Sequence, residues 1–162
     1  VERFKLRAVF MDQRGSRYDE DLLVLERLDL LLPGAVIVAD NVLKPGSPLF
    51  LWRLLNGNEY DNHIVSVREF AMPSEDWMSV SVRRPSATAA GEEAVAPEPP
   101  SELAQLQWES DRMRAQATRA GQGSVTFGEW ATFASHMKER LALYGIADTI
   151  DAARLEAGDE LL

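Results

Sequence analysis

The chain has 162 residues, of which 46% are apolar, so it has the size and composition of one globular domain with room for an extension. Its formal net charge of −9 argues against general binding to nucleic acid or to an anionic membrane, because both need clustered Lys and Arg. The absence of cysteine excludes disulfides and thiolate metal sites, and two unrelated histidines argue against a multi-histidine metal centre. We expect neither a signal peptide nor a transmembrane helix, and an intracellular compartment is favoured.

Residues 1–84 alternate between predicted strands and predicted helices, which is typical of an α/β fold. Continuous apolar runs indicate strands buried on both faces, and leucines at helical spacing indicate helices. The predicted elements are a strand over 4–11, a helix over 18–32, a strand over 35–39, a helix over 48–55 and strands over 60–70 and 77–84. The first connection is long enough for parallel pairing of the first two strands. We expect the last two strands to pair antiparallel.

The rest of the chain divides into a linker and a helical extension. Residues 85–100 contain four of the eight prolines and have no helical or strand period, which indicates an extended linker. Residues 101–162 predict an acidic helical extension. Its best predicted helix, residues 126–144, opens with a Thr-x-x-Glu capping box, and a weaker one is expected over 146–162. The best helix carries an apolar stripe of Phe127, Trp130, Ala134, Met137, Leu141 and Tyr144.

Polar side chains follow the two predicted parallel strands at the points where they end. Asp12 follows the first strand, and Asp40 and Asn41 follow the second. If the strands are neighbours, two carboxylates and one amide oxygen converge at one edge of the sheet. Such oxygen ligands suit Mg²⁺. The alternative is that these residues only terminate strands, because Asp-Asn also favours turns.

The exact residues of two segments are more informative than the positions of these polar residues at the strand ends. Residues 32–48 read LPGAVIVADNVLKPGSP, and Phe10-Met11-Asp12 and Arg17-Tyr18 precede them. Together they resemble the C-terminal half of the catechol O-methyltransferase family, over about residues 3–84. The resemblance implies half of a Rossmann-like class I methyltransferase sheet, with two parallel strands and an antiparallel pair. It also implies S-adenosylmethionine as methyl donor and Mg²⁺ as cofactor.

The resemblance implies roles for five residues. The family's three protein ligands to the metal fall on Asp12, Asp40 and Asn41. The glutamate that hydrogen-bonds the substrate falls on Glu69, and a proline that walls the substrate pocket falls on Pro45.

The sequence also departs from the family's pattern. The lysine that acts as general base is replaced by Gly15, the aromatic wall residue by Arg14, and the residue flanking the adenine by Gln13. Arginine cannot replace the lysine, because its guanidinium does not deprotonate in proteins. No glycine-rich donor loop occurs in these 162 residues, so we expect S-adenosylmethionine binding only if a donor-binding half is supplied.

Two functions remain open at this point, and whether the chain is an enzyme is undecided. The first is a non-catalytic accessory or scaffold subunit of a hetero-complex, with the acidic extension docked on a basic surface of a neighbouring chain. The second is the C-terminal part of an active Mg²⁺-dependent O-methyltransferase that acts on a catechol-like small molecule. In both cases any binding of Mg²⁺ is expected to be weak, because three protein ligands leave the ion mostly hydrated.

Overall fold

The computed structural model describes residues 4–68, 74–85, 96–119 and 125–151. We number the elements of these ranges in chain order. They are β1 (Leu6–Met11), α1 (Tyr18–Arg27), β2 (Leu31–Ala39), α2 (Pro48–Asn56), β3 (Tyr60–Arg68), β4 (Glu75–Arg83), α3 (Ser101–Arg119), α4 (Phe127–Ala142) and β5 (Ile150–Asp151). Short helical turns lie at Gly15–Arg17 and at Val42–Gly46.

The described strands form one mixed sheet in the order β1-β2-β4-β3-β5. β1 and β2 are parallel, whereas β4 is antiparallel to both β2 and β3. The expected combination of a parallel pair and an antiparallel pair is therefore confirmed. Met11 pairs with Ala39 in the parallel register, so the residues that follow them emerge at the same edge of the sheet.

The first helix is shorter than the predicted range 18–32. It ends at Arg27, because Asp29 adopts a left-handed backbone with φ of 51° and turns the chain back toward the sheet. β2 then begins at Leu31 and includes Pro33, which has no N–H for a regular ladder. The register between β1 and β2 is interrupted between Leu6 and Ala8, and this irregularity accommodates Pro33 and Gly34.

Helices α3 and α4 pack against the domain of their own chain. Leu103 and Leu106 of α3 and Met137 and Leu141 of α4 are completely buried in the same core as the sheet. The prediction that a neighbouring chain buries the apolar stripe of α4 is therefore wrong for Met137 and Leu141. The apolar stripe of α4 correctly indicated a buried face, but periodicity does not say which surface buries it.

The capping box of α4 is confirmed, whereas one end of its predicted stripe is not buried. The Thr126 hydroxyl accepts a hydrogen bond from the Glu129 backbone N–H at 3.2 Å, and the Glu129 carboxylate accepts one from the Thr126 N–H at 2.7 Å. Phe127, the first residue of the helix, is 60% exposed. The buried part of the stripe therefore begins farther along the helix, at Ala134.

The chain after α4 differs from the predicted weak helix. Gly145 has a positive φ of 72°, and Ile146 is completely buried. The backbone N–H of Thr149 donates to the Ile64 carbonyl at 2.8 Å, which brings β5 alongside β3. Residues 152–162 and most of the predicted linker lie outside the described ranges. No helix within those ranges is long and apolar enough to cross a membrane.

Candidate functional site

Asp12 and Asp40 lie side by side at the carboxyl ends of β1 and β2. They follow the paired residues Met11 and Ala39, and the backbone N–H of Asp40 donates to the Met11 carbonyl at 2.9 Å. Asp12 is exposed, whereas Asp40 is half-buried. The expectation that parallel pairing brings these two residues to one edge is confirmed.

Asn41 follows Asp40, and both its backbone N–H and its side-chain amide are hydrogen-bonded. Its φ of 54° is left-handed, a region that asparagine tolerates better than most residues. Its backbone N–H donates to the Asp40 carboxylate at 2.8 Å, and its side-chain amide donates to the Asp76 carboxylate at 3.0 Å. Among the described residues no donor hydrogen-bonds to its amide oxygen. That oxygen is the atom that a cation would use.

Asp76 is a component of this site that the sequence prediction missed. It is completely buried at the start of β4, and its carboxylate also accepts the backbone N–H groups of Lys44 at 3.0 Å and Trp77 at 2.7 Å. Burial raises its pKa to about 7, although its hydrogen bonds to Asn41 and to these backbone groups favour the charged form. The only sequence signal was an acidic residue directly before the predicted strand 77–84.

Tyr18, at the start of α1, lies beneath the two aspartates. Its hydroxyl donates to the backbone carbonyl of Asp40 at 3.1 Å, and its ring meets Phe50 edge-to-face with centroids 5.5 Å apart. Burial raises the pKa of Tyr18, and the nearby negative charges of Asp12 and Asp40 raise it further. The tyrosine is thus a neutral support for the strand ends.

The turn after Asn41 carries Pro45, the predicted wall residue. Pro45 is half-buried and follows Lys44 through a cis peptide bond. The Lys44 side chain is buried and donates to the Ser74 hydroxyl at 2.7 Å. Glu69, the other predicted substrate residue, lies outside the described ranges.

The loop after Asp12 is held by helix α3. The Asp111 carboxylate accepts hydrogen bonds from Arg14 at 2.8 Å and from the Ser16 hydroxyl at 2.7 Å. Arg114 donates to the Gln13 carbonyl at 2.6 Å. The sequence did not predict this contact between the extension and the candidate site.

The resemblance places Gly15 at the family's general-base lysine, and the space around this glycine is small. A Cβ atom there would lie 2.8 Å from the Gly46 carbonyl oxygen, which is closer than real Cβ contacts allow. A lysine does not fit this backbone arrangement unless the Val42–Gly46 turn moves.

The side chains that the sequence analysis singled out at this edge offer oxygen atoms only. Within the described parts of the chain, no three His, Cys, Asp or Glu side chains cluster as a metal site. The predicted set consists of the carboxylates of Asp12 and Asp40 and the amide oxygen of Asn41. Oxygen-only ligands, few in number, are what Mg²⁺ prefers, because it keeps several of its waters.

No family model matches the chain. Among curated proteins, it is 39% identical over 64 residues to catechol O-methyltransferase of Bos taurus, a match that covers 39% of this chain and 24% of the relative. The match to catechol O-methyltransferase of Mus musculus is 40% over 63 residues, covering 38% of this chain and 24% of the relative. The same enzyme of Sus scrofa is 39% identical over 64 residues, covering 39% of this chain and 34% of the relative.

Two solved structures of O-methyltransferases are also similar to the chain. One is from Bacillus cereus in complex with SAH, with a TM-score of 0.42 and 15% identity, covering 52% of this chain and 43% of that one. The other is TomG from Streptomyces achromogenes in complex with SAM, with a TM-score of 0.43 and 18% identity, covering 51% and 42%. The chain spans about a quarter of the length of the cattle and mouse relatives. The chain thus contains a segment of about 64 residues that is similar in sequence to part of catechol O-methyltransferase.

Proposed function

We propose that this chain supplies the metal-binding and acceptor-binding part of a Mg²⁺-dependent O-methyltransferase that acts on a catechol-like substrate. The observation that carries the proposal is the meeting of Asp12, Asp40 and Asn41 at one edge of the sheet. The sequence similarity to catechol O-methyltransferases supports the reaction class. S-adenosylmethionine is the donor that this class implies.

Each of the three residues has a distinct part in the proposed site. The carboxylates of Asp12 and Asp40 balance the two charges of the cation, and the Asn41 amide adds a neutral oxygen. A bound Mg²⁺ lowers the pKa of a hydroxyl that it contacts. Pro45 forms one wall of the acceptor site in this proposal, and Glu69 orients the second hydroxyl.

The proposed site differs from the family's pattern in its proton acceptor. Gly15 leaves no base at the lysine position, and the guanidinium of Arg14 beside it donates to Asp111 at 2.8 Å. In this proposal residue 15 therefore gives no help to the ionisation of the acceptor hydroxyl. We expect slower methyl transfer than a site with a neutral lysine would allow, since a positioned general base contributes roughly 10²–10⁴-fold.

A second candidate is a non-catalytic subunit of a hetero-complex, and two observations favour it. The close approach of Gly15 to Gly46 excludes the family's base. In addition, β1 is an edge strand of the described sheet, and its Phe10 is 61% exposed. An apolar edge strand is a surface on which another chain can pair.

The cation site is tested by titrating the full 162-residue chain with Mn²⁺ and measuring free Mn²⁺ by electron paramagnetic resonance. We expect weak binding, and at least tenfold weaker binding for Asp12→Asn and for Asp40→Asn. Asp61→Asn is the matched control, because it removes the same charge from an exposed residue of β3 that pairs with Arg84. Equal affinities for all four chains would contradict the site.

The two candidates are separated by binding of the acceptor. The intact chain is titrated with catechol, with and without Mg²⁺, and binding is measured by calorimetry. Catechol binding that depends on Mg²⁺ and is lost in Asp40→Asn supports the acceptor-binding part of an enzyme. Cation binding without catechol binding favours the non-catalytic subunit.

A further inference from the structure

We propose that Asp76 is a positioning residue, which holds the side chain of Asn41 so that its amide oxygen is the end presented to a divalent cation. This inference rests on the proposed function, because it concerns the same ligand set. The resemblance of the sequence to a known family assigned no role to Asp76.

The contacts of Asp76 are complete and specific. It is completely buried, and both carboxylate oxygens are used. Oδ2 accepts from the Asn41 amide at 3.0 Å, while Oδ1 accepts from the backbone of Lys44 and of Trp77. A buried carboxylate with three donors is held rigidly, since losing a partner there costs its desolvation.

A carboxylate at this position selects one orientation of the Asn41 amide. The amide has a donor end and an acceptor end of nearly equal size, and Oδ2 of Asp76 accepts from the donor end at 3.0 Å. Asp76 therefore binds the nitrogen end and leaves the oxygen end for the cation. The left-handed backbone of Asn41 and its N–H bond to Asp40 fix the rest of the residue.

Asp76 also holds the backbone of the Val42–Gly46 turn through Lys44, so a purely structural role has to be separated from positioning. Asp76→Asn makes this separation. Its Oδ1 can still accept from Lys44 and Trp77, but its new NH₂ group would face the NH₂ group of Asn41. Asn41 must then turn over, and its nitrogen is presented to the cation.

The exchanged pair Asn41→Asp with Asp76→Asn restores complementarity. Residue 41 then accepts from the amide at 76 with one carboxylate oxygen and keeps the other for the cation. The total charge equals that of the natural chain. Because Asn41→Asp also adds a negative charge beside the cation, the exchanged pair is compared with Asn41→Asp alone, which carries the same charge at residue 41.

The experiment measures the Mn²⁺ affinity and the melting temperature of the full chain for five forms: natural, Asp76→Asn, Asn41→Asp, the exchanged pair and the control Asp61→Asn. We expect Asp76→Asn to bind Mn²⁺ roughly 10–100-fold more weakly, the usual effect of losing a residue that orients a ligand. The exchanged pair should recover most of this loss, and the control should bind as the natural chain does.

Three outcomes overturn the inference. The first is natural affinity in Asp76→Asn, and the second is an exchanged pair that binds Mn²⁺ no more tightly than Asn41→Asp alone. The third is unfolding of Asp76→Asn that the exchange does not reverse, because Asp76 would then act on the fold and not through Asn41. Failure of the natural chain to bind Mn²⁺ overturns the proposed function itself, and thereby the inference, so the two failures are distinguishable.

Discussion

Gly15 lies directly against the carbonyl oxygen of Gly46, at a distance that leaves no room for a side chain on residue 15. The contact joins the loop that follows Asp12 to the turn that follows Asn41. The two segments that carry the candidate ligands are therefore packed together at their backbones. A glycine at position 15 is part of this packing.

We predict that Gly15→Ala lowers the free energy of unfolding by about 1–3 kcal/mol, the usual cost of overpacking. Gly15→Lys should cost at least as much, and it should not create a base at this position. Chemical denaturation measures both changes. Gly128→Ala is the control, because nothing lies within 4 Å of its added Cβ in α4. That control should be neutral or slightly stabilising, since alanine favours helix by up to about 1 kcal/mol over glycine.

A second prediction concerns the hydrogen bonds between helix α3 and the loop after Asp12. Asp111→Ala removes the acceptor for both Arg14 and Ser16. We expect faster amide hydrogen exchange in residues 13–17, with α3 itself retained through buried Leu103 and Leu106. Hydrogen exchange with mass spectrometry measures both regions. Unchanged exchange in 13–17 would show that the loop does not depend on α3.

A third prediction tests whether the extension and the sheet unfold together. Met137→Ala should lower the free energy of unfolding by about 2–5 kcal/mol, because a buried side chain is replaced by a cavity. Leu143→Ala is the matched control, since Leu143 is 74% exposed. Both should retain a single unfolding transition in urea. Two transitions, with only the first shifted by Met137→Ala, would mean that α4 is an independent unit.

The sequence predicted those features of the site that depend on neighbouring strands. The apolar runs that end at Asp12 and Asp40 indicated parallel strands, and parallel pairing alone brings their ends together. Asp76 could not be predicted this way. Its contact with Asn41 joins residues 35 positions apart, and no periodic pattern signals a single buried carboxylate.

The sequence was also a poor guide to where elements end and where the extension packs. The leucine spacing continued past Arg27, but the backbone of Asp29 ended the helix earlier. The stripe of α4 showed that one face is buried, and several surfaces could have buried it. In the structure, Met137 packs against the turn at Gly46. Its Cε atom would lie 3.5 Å from a Cβ atom added to that glycine.

The last prediction concerns pH. Burial raises the pKa of Glu75, but hydrogen bonds from Lys138 at 2.6 Å, Trp77 at 2.9 Å and Ser66 at 2.9 Å outweigh it and hold the pKa below 4.5. A carboxyl with a lowered pKa stabilises the fold above its unfolded pKa, and this stabilisation is lost as pH falls through its folded pKa. The unfolding free energy of the natural chain should therefore fall between about pH 5 and pH 3 more steeply than that of Glu75→Gln. Urea unfolding at a series of pH values measures this difference, with Glu139→Gln on the exposed side of α4 as the control for lost charge. Parallel curves for the natural chain and Glu75→Gln would show that Lys138, Trp77 and Ser66 do not stabilise the charged form of Glu75.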